Sequence, residues 1–211
     1  MFDIYQLLTE MKKSALILIL HLAFTSAWAQ SKTETRNLQA FNHLKVSNRI
    51  EAEVVWGDQY TIQITTKDFS VENVETLLDN QTLEIKILGS HSSDSRVKAI
   101  ITCPRLNGIE VNTSANVVVK GLLESKIVQL LVSTSGSLEV EVKAEELLLE
   151  AQTNGQMVVK GRAEKLDYNA FTNAEINGDE LEVAHAQIRT NTNAYGTFTV
   201  LESIKGNAAT F

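Results

Sequence analysis

Five copies of one short triplet punctuate the second half of this 211-residue chain. They are Thr113-Ser114-Ala115, Thr134-Ser135-Gly136, Thr153-Asn154-Gly155, Thr172-Asn173-Ala174 and Thr192-Asn193-Ala194. Successive threonines stand 21, 19, 19 and 20 residues apart. Four positions before each threonine comes Ile109, Leu130, Leu149, Tyr168 or Ile188, and two before comes Val111, Val132, Ala151, Ala170 or Thr190. Four positions after comes Val117, Leu138, Met157, Ile176 or, in the last copy, Gly196. A period near 20 with two-residue alternation inside it predicts short strands coiled into stacked rungs. One rung cannot bury its own apolar face, so its neighbours must do so. The predicted class is therefore all-β: a single-stranded β-helix, or β-solenoid, with rungs of about 20 residues. Ile109, Leu130, Leu149, Tyr168 and Ile188 should share one buried column, and the triplets should lie where each rung bends. Asn, Asp and Ser must supply those bends, because the chain has one proline and ten glycines.

The first 29 residues read as a leader outside this fold. Lys12-Lys13 precede an apolar run from Ser14 to Phe24, interrupted by His21, and Ala27-Trp28-Ala29 has the small-x-small form of a signal cleavage site. Gln30 would then begin the mature protein. Met11 reads as the natural start, which makes residues 1–10 an over-extended beginning. The apolar run is short for a bilayer span, so no transmembrane segment is expected after cleavage. The residue directly after the cleavage site is Gln30 rather than cysteine, which argues against a lipid anchor. The expected location is periplasmic, outer-surface or extracellular. The leader's Asp3 and Glu10 cancel Lys12 and Lys13, so the mature chain keeps the full net charge of −7. That sign disfavours nucleic-acid partners and anionic lipid surfaces. Cys103 is the only cysteine, so no disulfide can form within one chain. Its place in the alternating run Val97–Cys103 suits a small buried hydrophobe.

Residues 30–37 are polar and read as a flexible linker ahead of one solenoid domain at 38–211. Alternation begins at Leu44 and Val46. Ile50, Ala52, Val54 and Trp56, then Gly57-Asp58, then Tyr60, Ile62 and Ile64 read as a hairpin. Residues 68–78 fit either a helical turn or a strand, Asp79-Asn80 a turn, and Leu83, Ile85 and Ile87 a strand. Gly89 to Ser95 reads as a polar loop, and Pro104 closes the strand before it. Residues 144–149 fit a strand better than a helical turn. Gly206-Asn207-Ala208 echoes the triplet and suggests a partial sixth rung, with Phe211 placed to cap the last coil.

At this point the residues resemble a known family, the head GIN domain, described for auto-transporter adhesins and common in secreted Bacteroidetes proteins. The likeness covers roughly residues 38–200. Its carriers are Phe41-x-x-Leu44-x-Val46-Ser47, Trp56-Gly57-Asp58, Leu83-x-Ile85, Pro104-x-Leu106-x-x-Ile109 and the recurring triplet. The family's Ser-Gly-Ala-like triplet is largely replaced here by Thr-Asn-Ala. Its closing Tyr-x-Gly segment has no clear copy, so an incomplete last rung is expected. The resemblance implies a right-handed β-helix-like fold and an adhesion role, and it brings no catalytic residues to carry over.

The residues themselves offer little catalytic chemistry. His21, His43, His91 and His185 are far apart and show no metal-ligand spacing. Asp94 beside His91 is the one local His–Asp pair, and no nucleophile-elbow glycine pattern accompanies it. Glu139, Glu141, Glu145 and Glu146 alternate with apolar residues like a solvated outer face. Asp167 with Glu175, or Asp179 with Glu180, are the carboxylate pairs that an enzyme on this scaffold would need. No catalytic, metal or cofactor residues are expected. The surface candidates are Asn154, Asn173, Asn193 and Tyr195, a polar ladder ending in an exposed ring. They suit either a surface glycan or an envelope protein, or else they only satisfy the bends. The leading expectation is a non-enzymatic exported binding module. The alternatives are a carbohydrate-active enzyme and a structural protein that self-associates end to end. N-terminal sequencing of protein from the native host should read Gln30, free or cyclised; a read of Met1 or Met11 would refute the leader.

Overall fold

The computed structural model describes residues 31–68, 70–89 and 96–209. The leader at 1–29 and Phe211 lie outside the described residues, as does most of the Gly89–Ser95 loop with His91 and Asp94. Lys32–Phe211 forms one compact unit.

Five long strands make the regular part: β9 Asn116–Val132, β10 Ser137–Gln152, β11 Gln156–Phe171, β12 Glu175–Asn191 and β13 Tyr195–Ala209. Each is a whole rung. A first arm leaves the Thr-containing corner, passes a bend, and returns as a second arm. Neighbouring rungs pair in parallel throughout. The unequal triplet spacings have a single physical location. The 21-residue rung carries two extra residues between Val118 and Leu122, opposite Glu139 and Glu141. The 20-residue rung carries one extra between Asn177 and Leu181, opposite Val158 and Gly161. The 19-residue rungs pair without a shift. Length variation is thus absorbed as a bulge at the end of the first arm, where an added residue does not disturb the register of either arm.

The predicted column forms, and two more stand beside it. Ile109, Leu130, Leu149, Tyr168 and Ile188 stand in successive register, and the column extends to Leu44 and Leu83 on one side and Gly206 on the other. Ile109, Leu130, Leu149 and Tyr168 are buried and Ile188 partly so. Val111, Val132, Ala151, Ala170 and Thr190 make a second column beside it. Val117, Leu138, Met157, Ile176 and Gly196 make a third on the first arm. Two-residue alternation puts these columns inward and the charged residues outward.

The N-terminal strands extend the same two sheets: β1 Lys32–Asn37, β2 His43–Val46, β3 Glu51–Trp56, β4 Thr61–Lys67, β5 Val74–Asp79, β6 Thr82–Ile87, β7 Arg96–Cys103 and β8 Gly108–Val111. The first arms stack in the order β1-β4-β7-β3-β9. On the other side β5 pairs β6, β6 pairs β2, β2 pairs β8 and β8 pairs β9. Strands β1 and β5 are antiparallel to their neighbours and end the two sheets.

Four expectations need correction. Residues 32–37 are strand β1 rather than a linker; a polar, threonine-rich segment suits a solvated sheet edge, and Thr33 bonds Thr65 side chain to side chain. Strands β3 and β4 are not a hairpin, because β7 lies between them and pairs with both. The Gly57 loop crosses the end of β7, with Gly57 N–H donating to the Cys103 carbonyl at 3.1 Å. Gly206-Asn207-Ala208 is no bend: it lies inside β13, opposite Ile188, Arg189 and Thr190. And β13 spans both arms, so the last rung is complete. The ambiguous stretch resolves as a 3-10 turn at Val71–Asn73 followed by β5, with the Asn80-Gln81 turn leading into β6.

Tyr168 departs from its aliphatic column and Gly196 from its own, and the two departures compensate. A Cβ placed on Gly196 would sit 2.2 Å from the Tyr168 hydroxyl. The tyrosine therefore reaches past one rung into the space the glycine vacates, and its ring lies 5.3 Å from that of Phe198. Its hydroxyl finds no partner there, and burial pushes its pKa up to about 12. Cys103 is a buried free thiol, pushed up by burial to about 11 against the lowering effect of a backbone hydrogen bond at Arg105. Truncating the central column by Leu149→Ala should cost about 2–5 kcal/mol, read as a fall in the denaturant midpoint; an unchanged midpoint would show the column is not packed as described.

Candidate functional site

Each triplet builds one sharp corner. Its first two residues both have positive φ: 51° and 60° at Thr113-Ser114, 51° and 61° at Thr134-Ser135, 48° and 61° at Thr153-Asn154. Thr172-Asn173 and Thr192-Asn193 repeat this at 55° and 59°, and 51° and 61°. Two successive left-handed residues closed by an i to i+3 hydrogen bond are the pattern of a type I′ turn. The closing bonds run from Gly136 N–H to Ser133 O and from Gly155 N–H to Gln152 O, both 2.9 Å. The third residue of each triplet turns inward, and only a small side chain suits that place: Ala115, Gly136, Gly155 and Ala174 are buried.

Threonine is an unusual occupant of this geometry, since a β-branched residue at positive φ is strained. The strain is held by bonds between corners. In each corner the N–H of the second residue donates to the threonine carbonyl of the next corner: Ser114 to Thr134, Ser135 to Thr153, Asn154 to Thr172 and Asn173 to Thr192, at 2.9–3.0 Å. A sixth corner precedes these, Asn48-Arg49, with φ of 64° and 60° and Arg49 N–H donating to Thr113 O at 3.0 Å. It carries no Thr triplet and escaped the sequence reading. Its signal was positional: Asn48 follows Val46 by two residues, as Thr113 follows Val111.

The side chains of this column face solvent. All five threonines are exposed, with Asn154, Asn173 and Asn193 beside them. Asn173 Nδ2 donates to Asn154 Oδ1, and Asn193 Nδ2 to Asn173 Oδ1, each at 3.4 Å. The structure thus brings the three predicted asparagines together as an amide ladder, spaced like strands at about 4.8 Å. Tyr195, two residues past the last corner asparagine, is 58% exposed. Its hydroxyl bonds Glu175 on the rung above, which raises its pKa.

Acidic residues gather with cations around the bend between the arms: Glu124, Glu145, Glu164 and Glu182 line one groove with Lys126, Lys143 and Arg162, and Glu141, Asp179, Glu180 and Glu182 line another with Lys143 and Arg162. Glu139, Glu141, Glu145 and Glu146 are exposed. Charges pair from rung to rung: Lys126 with Glu145, Lys165 with Glu146, Lys160 with Glu180 at 2.8 Å. Its bond to Glu180 raises the Lys160 pKa. Asp167 meets Asn169 and Arg189 on a second arm, whereas Glu175 lies on a first arm, so this carboxylate pair is not brought together. Asp179 accepts from Thr197. His43 bonds Asn42, and His185 bonds Ser203 and lies 3.4 Å from Glu202. Among the described residues no three His, Cys, Asp or Glu gather as a metal site needs. No helix among them is long and apolar enough to cross a membrane.

Residues 40–210 match the family profile described as "Putative auto-transporter adhesin, head GIN domain". Comparison with curated proteins finds no match. Among solved structures, a "putative adhesin" from Bacteroides fragilis NCTC 9343 is similar at 15% identity and a TM-score of 0.60, covering 86% of this chain and 96% of that one. Another from Parabacteroides merdae ATCC 43184 aligns at 16% identity and TM-score 0.57, over 86% and 95%. A "putative lipid binding protein" from Parabacteroides distasonis ATCC 8503 aligns at 13% and 0.59, over 86% and 96%. At these identities the likeness is one of fold.

Thr153→Asn keeps a polar group at the corner and replaces a β-branched residue with one that tolerates positive φ. It should raise unfolding stability by about 0.5–1 kcal/mol, measured by urea denaturation; a loss would mean the threonine methyls contribute packing along the column.

Proposed function

Because the chain belongs to the head GIN domain family of auto-transporter adhesins, we propose that it is a non-enzymatic binding module of the cell envelope, exported by the leader at 1–29. The observation that carries this reading is the corner column. Its backbone is fixed by bonds within and between corners, so its exposed Thr and Asn groups are ordered before any ligand arrives. A surface whose groups are already in place loses little conformational freedom on binding. Regularly spaced hydroxyls and amides, ending beside the exposed Tyr195 ring, suit an extended surface glycan with its own repeating hydroxyls. An envelope protein is the other partner such a polar strip would accept.

The enzymatic alternative draws little support from the geometry. Glycoside hydrolysis needs two carboxyls about 5–10 Å apart with their protonation states pushed apart. The pairs singled out in the sequence are instead divided between opposite arms or engaged by Lys160, Arg189 and Thr197.

The test is an array of bacterial envelope polysaccharides probed with the mature protein, alongside the double variant Asn173→Gly/Asn193→Gly, which removes the amides while keeping residues that tolerate positive φ, and Tyr195→Ala. Both variants should keep the native thermal midpoint within a few degrees and lose at least about tenfold in affinity, or 1.4 kcal/mol. Binding that survives both substitutions would move the site elsewhere. Polysaccharide cleavage abolished by Asp167→Ala or Glu175→Ala would replace the adhesion reading with the enzymatic one.

A further inference from the structure

The two ends of the solenoid are finished differently. At the N-terminal end the sheets stop at short antiparallel strands. Strand β1 carries Lys32, Glu34 and Arg36 in six residues, and β5 carries Glu75 and Asp79. The Arg36 guanidinium ties the two sheets together there, donating to Val74 O at 2.6 Å and Val71 O at 3.2 Å. Short, charged, strapped edges resist pairing with another strand.

At the other end lies β13, 15 residues long and, among the described residues, paired only through β12. It carries just two charges, Glu202 and Lys205. Leu201 is 65% exposed and Ile204 59%. Ile204 stands in an inward column, over Ala186, and no described rung covers its other side. A long, nearly uncharged edge of this kind is a template for a further strand.

The sequence of β13 is complementary to itself. When the strand is laid antiparallel on a second copy, with Tyr195 opposite Ala209, its first arm covers the second arm of the other copy. The inward residues then meet as Phe198 on Gly206, Gly196 on Ala208, and Val200 on Ile204. The outward residues meet as Thr197 on Asn207 and Thr199 on Lys205. The largest inward side chain falls on a glycine, and apart from the exposed bend at Glu202 no like charges oppose. A shift by one residue would set inward side chains against outward ones.

We propose that two copies of this protein join end to end through β13 about a two-fold axis, each β13 serving as the next rung of the other. Such a contact closes on itself and stops at a dimer. Two ends of this size bury roughly 1,000 Å², near the lower limit for a specific interface, and main-chain bonds along both arms add to it. Head-to-tail growth is disfavoured by the charged β1 and β5 edges. The contact shares Tyr195 with the corner strip but not Asn154 or Asn173, and Ile204 lies outside that strip, so variants at Asn173 and at Ile204 separate glycan binding from dimerisation.

Sedimentation of the mature full chain tests this, with Ile204→Lys as the disrupting variant. Ile204 is already exposed, so the variant should fold, with the thermal midpoint that the native protein shows when diluted to monomer. The native protein should sediment as a dimer at micromolar concentration, and Ile204→Lys should weaken dimerisation at least about tenfold. A monomer up to about 100 µM, a dimer indifferent to Ile204→Lys, or open-ended filaments would each overturn the proposal. A second measurement checks the register. Thr197→Cys/Asn207→Cys puts two outward cysteines on different arms of one chain, out of reach of each other, but opposite those of the second copy at disulfide distance. Oxidation should give a covalent dimer on a non-reducing gel; a dimer that never cross-links would overturn this pairing.

Discussion

The fold depends on main-chain hydrogen bonding that continues around the corner instead of stopping at it. In most sheets a turn ends a ladder. Here the second residue of each corner donates to the first residue of the next, from Arg49 through Asn173, so the ladder runs on from arm to corner to arm. This continuity demands that every corner adopt one conformation, and that conformation needs two successive residues at positive φ. Threonine is a poor choice by intrinsic preference. It is tolerated because a corner that relaxed alone would lose its bonds to both neighbours. Local strain of about 1–3 kcal/mol per residue is thus opposed by a collective constraint, and the apolar columns follow, since fixing one corner fixes the phase of both arms.

Inside, the columns are not uniform, and their exceptions come in matched sets. Tyr168 is oversized where Gly196 is absent of side chain, and Phe198 packs against the tyrosine ring. The result is a filled interior near the last rung with an orphaned hydroxyl as its cost. The surface ion pairs are a different kind of feature. Lys126–Glu145 and Lys165–Glu146 join exposed groups across rungs. Pairs of that sort contribute about 0–1 kcal/mol each, so they order the outer face and keep it soluble more than they hold the fold.

Much of this was legible in the chain. The triplet period located the corners, and the residues at −4 located a buried column, because a stacked fold repeats its packing demands at the same phase. The corner asparagines were legible as a ladder for the same reason. What was not legible lies where periodicity stops. Strands β3 and β4 looked like a hairpin because alternation and a Gly-Asp break are local signals, whereas the insertion of β7 between them is a long-range choice. Residues 32–37 looked unstructured because an edge strand needs few apolar residues. Gly206-Asn207-Ala208 looked like a corner because composition alone does not separate a bend from an arm. The sites were harder still: charge is visible in a sequence, but which carboxylates share a face is not, and only the arms settle that Asp167 and Glu175 stand apart.

The bulges of the 21- and 20-residue rungs also bear on how a gene for such a protein can change length. Insertions of one or two codons are taken up around the bend between the arms, since within an arm a single added residue would reverse the facing of the side chains that follow it and any addition would shift their register. Duplication or loss of a whole rung is equally silent, because each corner offers the same donor and acceptor to whatever corner comes next. Length in this lineage is therefore free to vary in two currencies, whole coils and small bulges, with little in between.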